Sequence, residues 1–157
     1  MAIPSSGIHS NGFSLIRSIL INKKITKKMK ATLLTPTKIY TSEILSLTKR
    51  DLIKSASHIT GGGLVENISR SIPQNVGLNL DLSKIKVLNI FKWIKKHNIS
   101  DSEMLKTFNC GVGFCLIAKK NKIINIKKFF PKNYKPYEIG IVTNQKNKIN
   151  LLNTIKW

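Results

Sequence analysis

"HITGGGLVENISR" (58–70) sets three consecutive glycines between a threonine and what reads as the first turn of a helix. Glycine inside a regular element is destabilising by about 1 kcal/mol relative to alanine. A triplet therefore marks a place where the backbone must turn sharply or come close to something, and at least one of the three is expected at positive φ. A strand ends, glycines follow and a helix begins, an order that suits an anion held by free N–H groups. A tight strand-to-helix turn with no ligand is the other reading. His58, Thr60, Gly61, Gly62 and Gly63 become candidate phosphate contacts, with Asn67 and Arg70 nearby.

Two further stretches have the same character. "SSGIHSNG" (5–12) crowds serines, a histidine, an asparagine and two glycines before a helix, and nominates Ser6, Gly7, His9, Ser10 and Asn11, against the alternative of an ordinary capped helix start. "FNCGVGF" (108–114) places Asn109 beside two glycines at the entrance of a strand, where close packing is the competing explanation. No serine, histidine and acid combination stands at nucleophilic spacing, and the seven carboxylates are spread thinly, so no catalytic residue is singled out.

Working outward, Phe13, Ile16, Ile19 and Leu20 recur at helical spacing, with Ser10 as the expected cap. The lysine-rich 23–30 reads as a solvated loop. Pro36 is expected to open a second helix with Ile39, Ile44 and Leu47 on its inner side. Residues 52–60 read as a strand, 64–72 as a short helix stopped by Pro73, and "VGLNLDL" (76–82) as a half-buried strand. Residues 87–98 form an amphipathic helix, Ser100 and Glu103 a capping box, and "GVGFCLIA" (111–118) the most deeply buried strand. A helix over 121–130 has many β-branched residues, and "YEIGIVT" with "INLLNTI" reads as a hairpin across "NQKNK" (144–148). This alternation predicts an α+β fold, a mixed β-sheet packed with helices, in a single domain spanning 1–157.

The formal charge of +20 ordinarily points to nucleic acid. Yet lysine, isoleucine and asparagine, all with adenine- and thymine-rich codons, number 24, 24 and 15, so base composition is the simpler cause. The lysines scatter instead of alternating with aromatics, and nucleic acid is not the expected partner. No apolar run approaches the roughly 20 residues of a membrane span, and the first residues lack a secretion signal's pattern, which makes cytoplasm the expected compartment. Cys110 and Cys115 are expected as buried free thiols on opposite faces, and no ligand spacing suggests a metal.

Taken in order, "PSSGIHSNGFSLIR", "LLTPTKIY", "HITGGGLVENISR", "FNCGVGF" and "YEIGIV" closely resemble the C-terminal half of the phosphoribosylformylglycinamidine cyclo-ligase family, the aminoimidazole ribonucleotide synthetases. The likeness spans nearly the whole chain. Selenophosphate synthetase, thiamine-monophosphate kinase and formylglycinamide ribonucleotide amidotransferase share the architecture, but "HxTGGGxxEN" with "FNxGxGF" fits the cyclo-ligase best. The resemblance implies a partly ferredoxin-like topology and ATP-dependent ring closure of formylglycinamidine ribonucleotide in purine biosynthesis. It also implies a homodimer, an N-terminal half holding most of the ATP and Mg2+, and a cleft between the halves.

On that resemblance the chain, starting at its own methionine, begins where the second domain begins, without the N-terminal ATP-binding domain. Ser6, Gly7, His9, Ser10, Asn11, His58, Thr60, Gly61, Gly62, Gly63 and Asn109 would line its wall of the cleft and hold the ribose phosphate. One departure is Lys38, where many relatives carry arginine; lysine keeps the charge and loses the bidentate fork. The alternative is a non-catalytic remnant or separately encoded subunit that binds a phosphate ligand or a partner domain.

Overall fold

The computed structural model describes residues 1–146 and 148–157. In chain order the elements are β1 (Ala2–Pro4), α1 (Phe13–Leu20), α2 (Lys27–Leu33), α3 (Thr41–Lys49), β2 (Ser55–His58), α4 (Gly63–Ser69), β3 (Gly77–Asp81), α5 (Asn89–Lys95), α6 (Asp101–Thr107), β4 (Val112–Ile117), α7 (Ile123–Lys127), β5 (Gly140–Thr143) and β6 (Ile149–Leu152). The strands make two three-stranded sheets, and the class is α+β. The first, ordered β1-β4-β2, is antiparallel throughout. In the second, β3 is central, antiparallel to β5 and parallel to β6. Ala2 and Tyr137 exchange backbone hydrogen bonds of 2.7 and 2.9 Å, which ties the edge of the first sheet to the segment entering β5.

The period of two along β4 explains why its apolar run is unbroken. Phe114, Leu116 and Ala118 face one cluster with Ile3, Tyr40, Leu47, Ile126 and Phe130, while Cys115 and Ile117 face the larger core with Ala2, Leu78, Leu80, Ile94 and Met104. Both faces of the first sheet are therefore covered. Cys110 and Cys115 are free and buried, and burial pushes both thiols up to about 12.

Several local expectations are corrected. Lysines 27–30 belong to α2, where Thr26 accepts a bond from the Met29 N–H at 3.1 Å and so caps the helix. Helix α3 begins at Thr41, not at Pro36, and Ile39 is 78% exposed. The reason is tertiary: Ser6 Oγ donates to Pro36 O (2.7 Å) and accepts from Lys38 N–H (3.0 Å), so this backbone is bonded to the 5–12 loop instead of to a helix. Ser10 does not cap α1; Gly12 is its N-cap at φ 90°, where a side chain would overlap Phe108. The final two strands do not form a hairpin, because β3 lies between them. Their connection includes Asn147, outside the described residues.

Candidate functional site

The site forms at one end of the first sheet, where four stretches distant in sequence meet. In β2 and β4, His58 and Phe114 are directly opposed and their rings stack at 5.2 Å and 10°. His9 lies 6.2 Å from His58, and Tyr40 lies 5.9 Å from His58 and 6.2 Å from His9, centroid to centroid. His58 is exposed, whereas His9 is only 7% exposed.

His9 sits at φ 65°, a region of roughly 1–3 kcal/mol strain for a residue with a side chain. Two sets of bonds hold it there. Asn109 Nδ2 donates to Gly7 O (2.9 Å) and Ile8 O (3.1 Å), while its Oδ1 accepts from Gly111 N–H (2.9 Å). Ser6 N–H donates to His9 Nε2 at 3.2 Å, which places the proton of the neutral ring on Nδ1. That Nδ1 is buried and has no partner among the described residues. Burial, then the neighbouring His58, pushes His9 down to about 4; burial also lowers His58.

The glycine turn is clasped by Asn67, whose Nδ2 donates to Gly61 O (3.0 Å), Gly63 O (2.7 Å) and Thr60 O (3.4 Å) and whose Oδ1 accepts from Thr60 Oγ1 (3.2 Å). Gly62 and Gly63 have φ 89° and 67°, the positive values expected. A side chain on Gly63 would overlap the Leu105 carbonyl, so its close approach is to the chain itself. Gly61 differs. It is exposed, lies outside the left-handed region, and a Cβ there would stand 3.4 Å from Asn11 Oδ1. Asn11 in turn donates to Thr107 O and brings the 9–11 turn against the 61–63 turn.

Residues 1–151 match the family described as AIR synthase related protein, C-terminal domain. The chain belongs to that family. A phosphoribosylformylglycinamidine cyclo-ligase of Lactobacillus helveticus is 40% identical over 153 residues, which cover 89% of this chain and 44% of the relative. One from Streptococcus pneumoniae serotype 4 is 36% identical over 94% of this chain and 46% of its own length. The trifunctional purine biosynthetic protein adenosine-3 of Bos taurus is 41% identical over 78% of this chain and 13% of the relative. The chain thus spans less than half the length of these cyclo-ligases.

Within this AIR synthase related domain, the candidates divide by what their atoms already do. Ser6, Asn109 and Thr60 spend their polar atoms on the chain, and Gly7 is buried under Asn109. His58, Gly61 and Ser10 are exposed on the rim, with Asn11 and Gly62 half-buried. Ser10 borders an open depression shared with Asn11, Arg17, Glu103 and Thr107. The donor set does not suit magnesium. Among the described residues no three His, Cys, Asp or Glu side chains gather as a metal site, and every carboxylate but Glu138 already accepts a hydrogen bond from a neighbour. No helix of the described residues is long and apolar enough to cross a membrane.

Tyr40 is the residue that the sequence patterns did not single out. It is 4% exposed, and the only hint was an aromatic closing "TPTKIY". Lys38 is equally occupied: its Nζ donates to Glu43 (2.7 Å) and Ile39 O (3.0 Å) and lies between the rings of Tyr40 and Tyr134, at 5.1 and 4.8 Å.

Proposed function

We propose that this chain is the C-terminal half of a phosphoribosylformylglycinamidine cyclo-ligase and supplies one wall of a cleft for formylglycinamidine ribonucleotide. The convergence of 5–12, 36–40, 58–63 and 108–114 on one histidine-lined rim carries the reading. These stretches lie within four of the five that carry the resemblance to the cyclo-ligases. The exposed turn at Gly61 and Gly62 with Asn11 faces the ribose phosphate, whose dianion suits N–H donors. His58 presents an imidazole at the rim, and the burial on its inner side lowers its pKa and so favours the neutral form.

ATP and Mg2+ are held mainly by the N-terminal half on the pattern of the family, and no step is assigned to them here. The working enzyme is a homodimer in the cytoplasm, on the pattern of the family. In the test, the purified chain is mixed with the N-terminal half of the Lactobacillus helveticus cyclo-ligase, and ring closure is followed with ATP. Turnover that requires both halves is expected. Turnover by the 157-residue chain alone, or none in any combination including coexpression, overturns the reading.

A further inference from the structure

Tyr40, buried behind the rim, packs against both of its histidines. Its hydroxyl donates to Pro4 O at 2.9 Å and rests over Gly113, where any Cβ would overlap that hydroxyl and stand 3.0 Å from His9 Cε1. Gly113 is therefore a slot shared by the Tyr40 hydroxyl and the edge of His9. The Tyr40 ring meets His9, His58 and also Phe114, the last at 5.3 Å. Lys38 is held over the same ring by Glu43, and the backbone leading to Tyr40 is clipped to Ser6. Both histidines thus rest on one ring fixed from three directions.

We propose that Tyr40, seated in the Gly113 slot, is a positioning residue that sets the separation of His9 and His58 and keeps water from His9. The proposal rests on the reading of this rim as the substrate wall. The groups recorded against the pair are the two imidazoles themselves, the Tyr40 ring, the Phe114 ring stacked on His58 and the Ser6 N–H, while the Lys38–Glu43 ion pair and Tyr134 lie around Tyr40. Removing the ring admits water to His9 and relieves the burial that opposes its charge.

The test is histidine-detected NMR on the 157-residue chain, with titrations and tautomers read from the ring nitrogens of Tyr40→Phe, Tyr40→Leu and Gly113→Ala. His97 is the third histidine and lies beside Lys23 and Trp93, so it serves as the internal reference. In Tyr40→Leu the His9 titration rises from about 4 by roughly one pH unit or more. Gly113→Ala, which expels the hydroxyl from the slot, moves it in the same direction, and Tyr40→Phe moves it less, with His97 unmoved in all three. A merely structural Tyr40 lowers the melting temperature and leaves both rim titrations where they were. Unmoved His9 and His58 in any variant that remains folded, Tyr40→Phe being the mildest, overturns the proposal. Turnover with a supplied N-terminal half tests the cleft reading separately, because the titrations need no substrate.

Discussion

The two sheets have three strands each and opposite circumstances. The first is covered on both faces, with Ile3 at 0% and Leu116 at 1% exposure, and the candidate site grows from its end. The second is incompletely covered on both faces, since Val142 and Leu151 stand beside buried Leu78 and Leu80 while Ile141 and Leu152 stand beside Asn79 and Asp81. Ile141, Val142, Leu151 and Leu152 on its outer strands are 65, 45, 44 and 44% exposed, and an Asn79–Asn150 bond of 2.9 Å lies on its outward side. The difference teaches where placement matters. Histidines set about 6 Å apart need a support that cannot slide, and a strand buried on both sides supplies it through packing at near-crystalline density.

The largest effect expected from breaking this contrast is Leu116→Ala, which removes a side chain buried against α3 and α7 and should destabilise by about 3 kcal/mol in urea unfolding. Asn109→Ala should follow at about 2–3 kcal/mol, since it strands the Gly7 and Ile8 carbonyls and the Gly111 N–H in the interior. Thermal unfolding of that variant, with His9 released from its left-handed conformation, measures it.

Acidity sharpens the same comparison. The unfolded chain protonates His9 near 6.5 and the folded chain only near 4, so the unfolded state binds more protons between those values. Stability present above about pH 6.5 is lost as pH falls toward 4, by about 2 kcal/mol after allowing for partial solvent access. Melting curves from pH 7.5 to 4.5 should show this drop, reduced in His9→Gln. The second sheet has no histidine, and its Asp81, held below the usual carboxylate range by bonds from Asn153 and Ser83, adds to the loss only at the acid edge of that window.

Gly61→Ala is the finer probe, because the backbone tolerates it and the new methyl would lie at the edge of the proposed cleft. Stability should stay within about 0.5 kcal/mol, while the Kd for ribose 5-phosphate in the reassembled enzyme rises about tenfold. Unchanged affinity would remove Gly61 from the site. The smallest effect is Ile141→Thr on the exposed face of β5, below about 0.5 kcal/mol; a larger loss would mean that this face is covered in solution.

How much of this was legible depends on distance along the chain. Helix α5 and strand β4 carry their own periodicity, and Ile90, Phe91 and Ile94 are buried as the spacing requires. The positive φ of the glycine turn was readable because it is local, as is its clasp by Asn67 a few residues away. The Pro36 signal misled because its backbone bonds to Ser6, 30 residues earlier. The final hairpin failed likewise, since the central position between β5 and β6 is taken by β3. Lysines hid α2, whose cap is a single threonine. At the site, local motifs named the right segments, but which side chains would meet, above all Tyr40 with both histidines, was decided by sheet pairing and a slot opened by one missing Cβ.

The two thiols have a use that follows from their burial. A thiolate is the form that alkylating reagents attack, and with both groups raised to about 12 the folded chain holds almost none at neutral pH. Modification must therefore wait for the structure to open. Cys115 lies within the double-faced strand, and Cys110 in the turn that leads into it, against the Met104 and Phe108 carbonyls. Timed alkylation read by peptide mass reports two opening rates from one sample: the tearing of the sheet, and the loosening of the turn that Asn109 ties to His9.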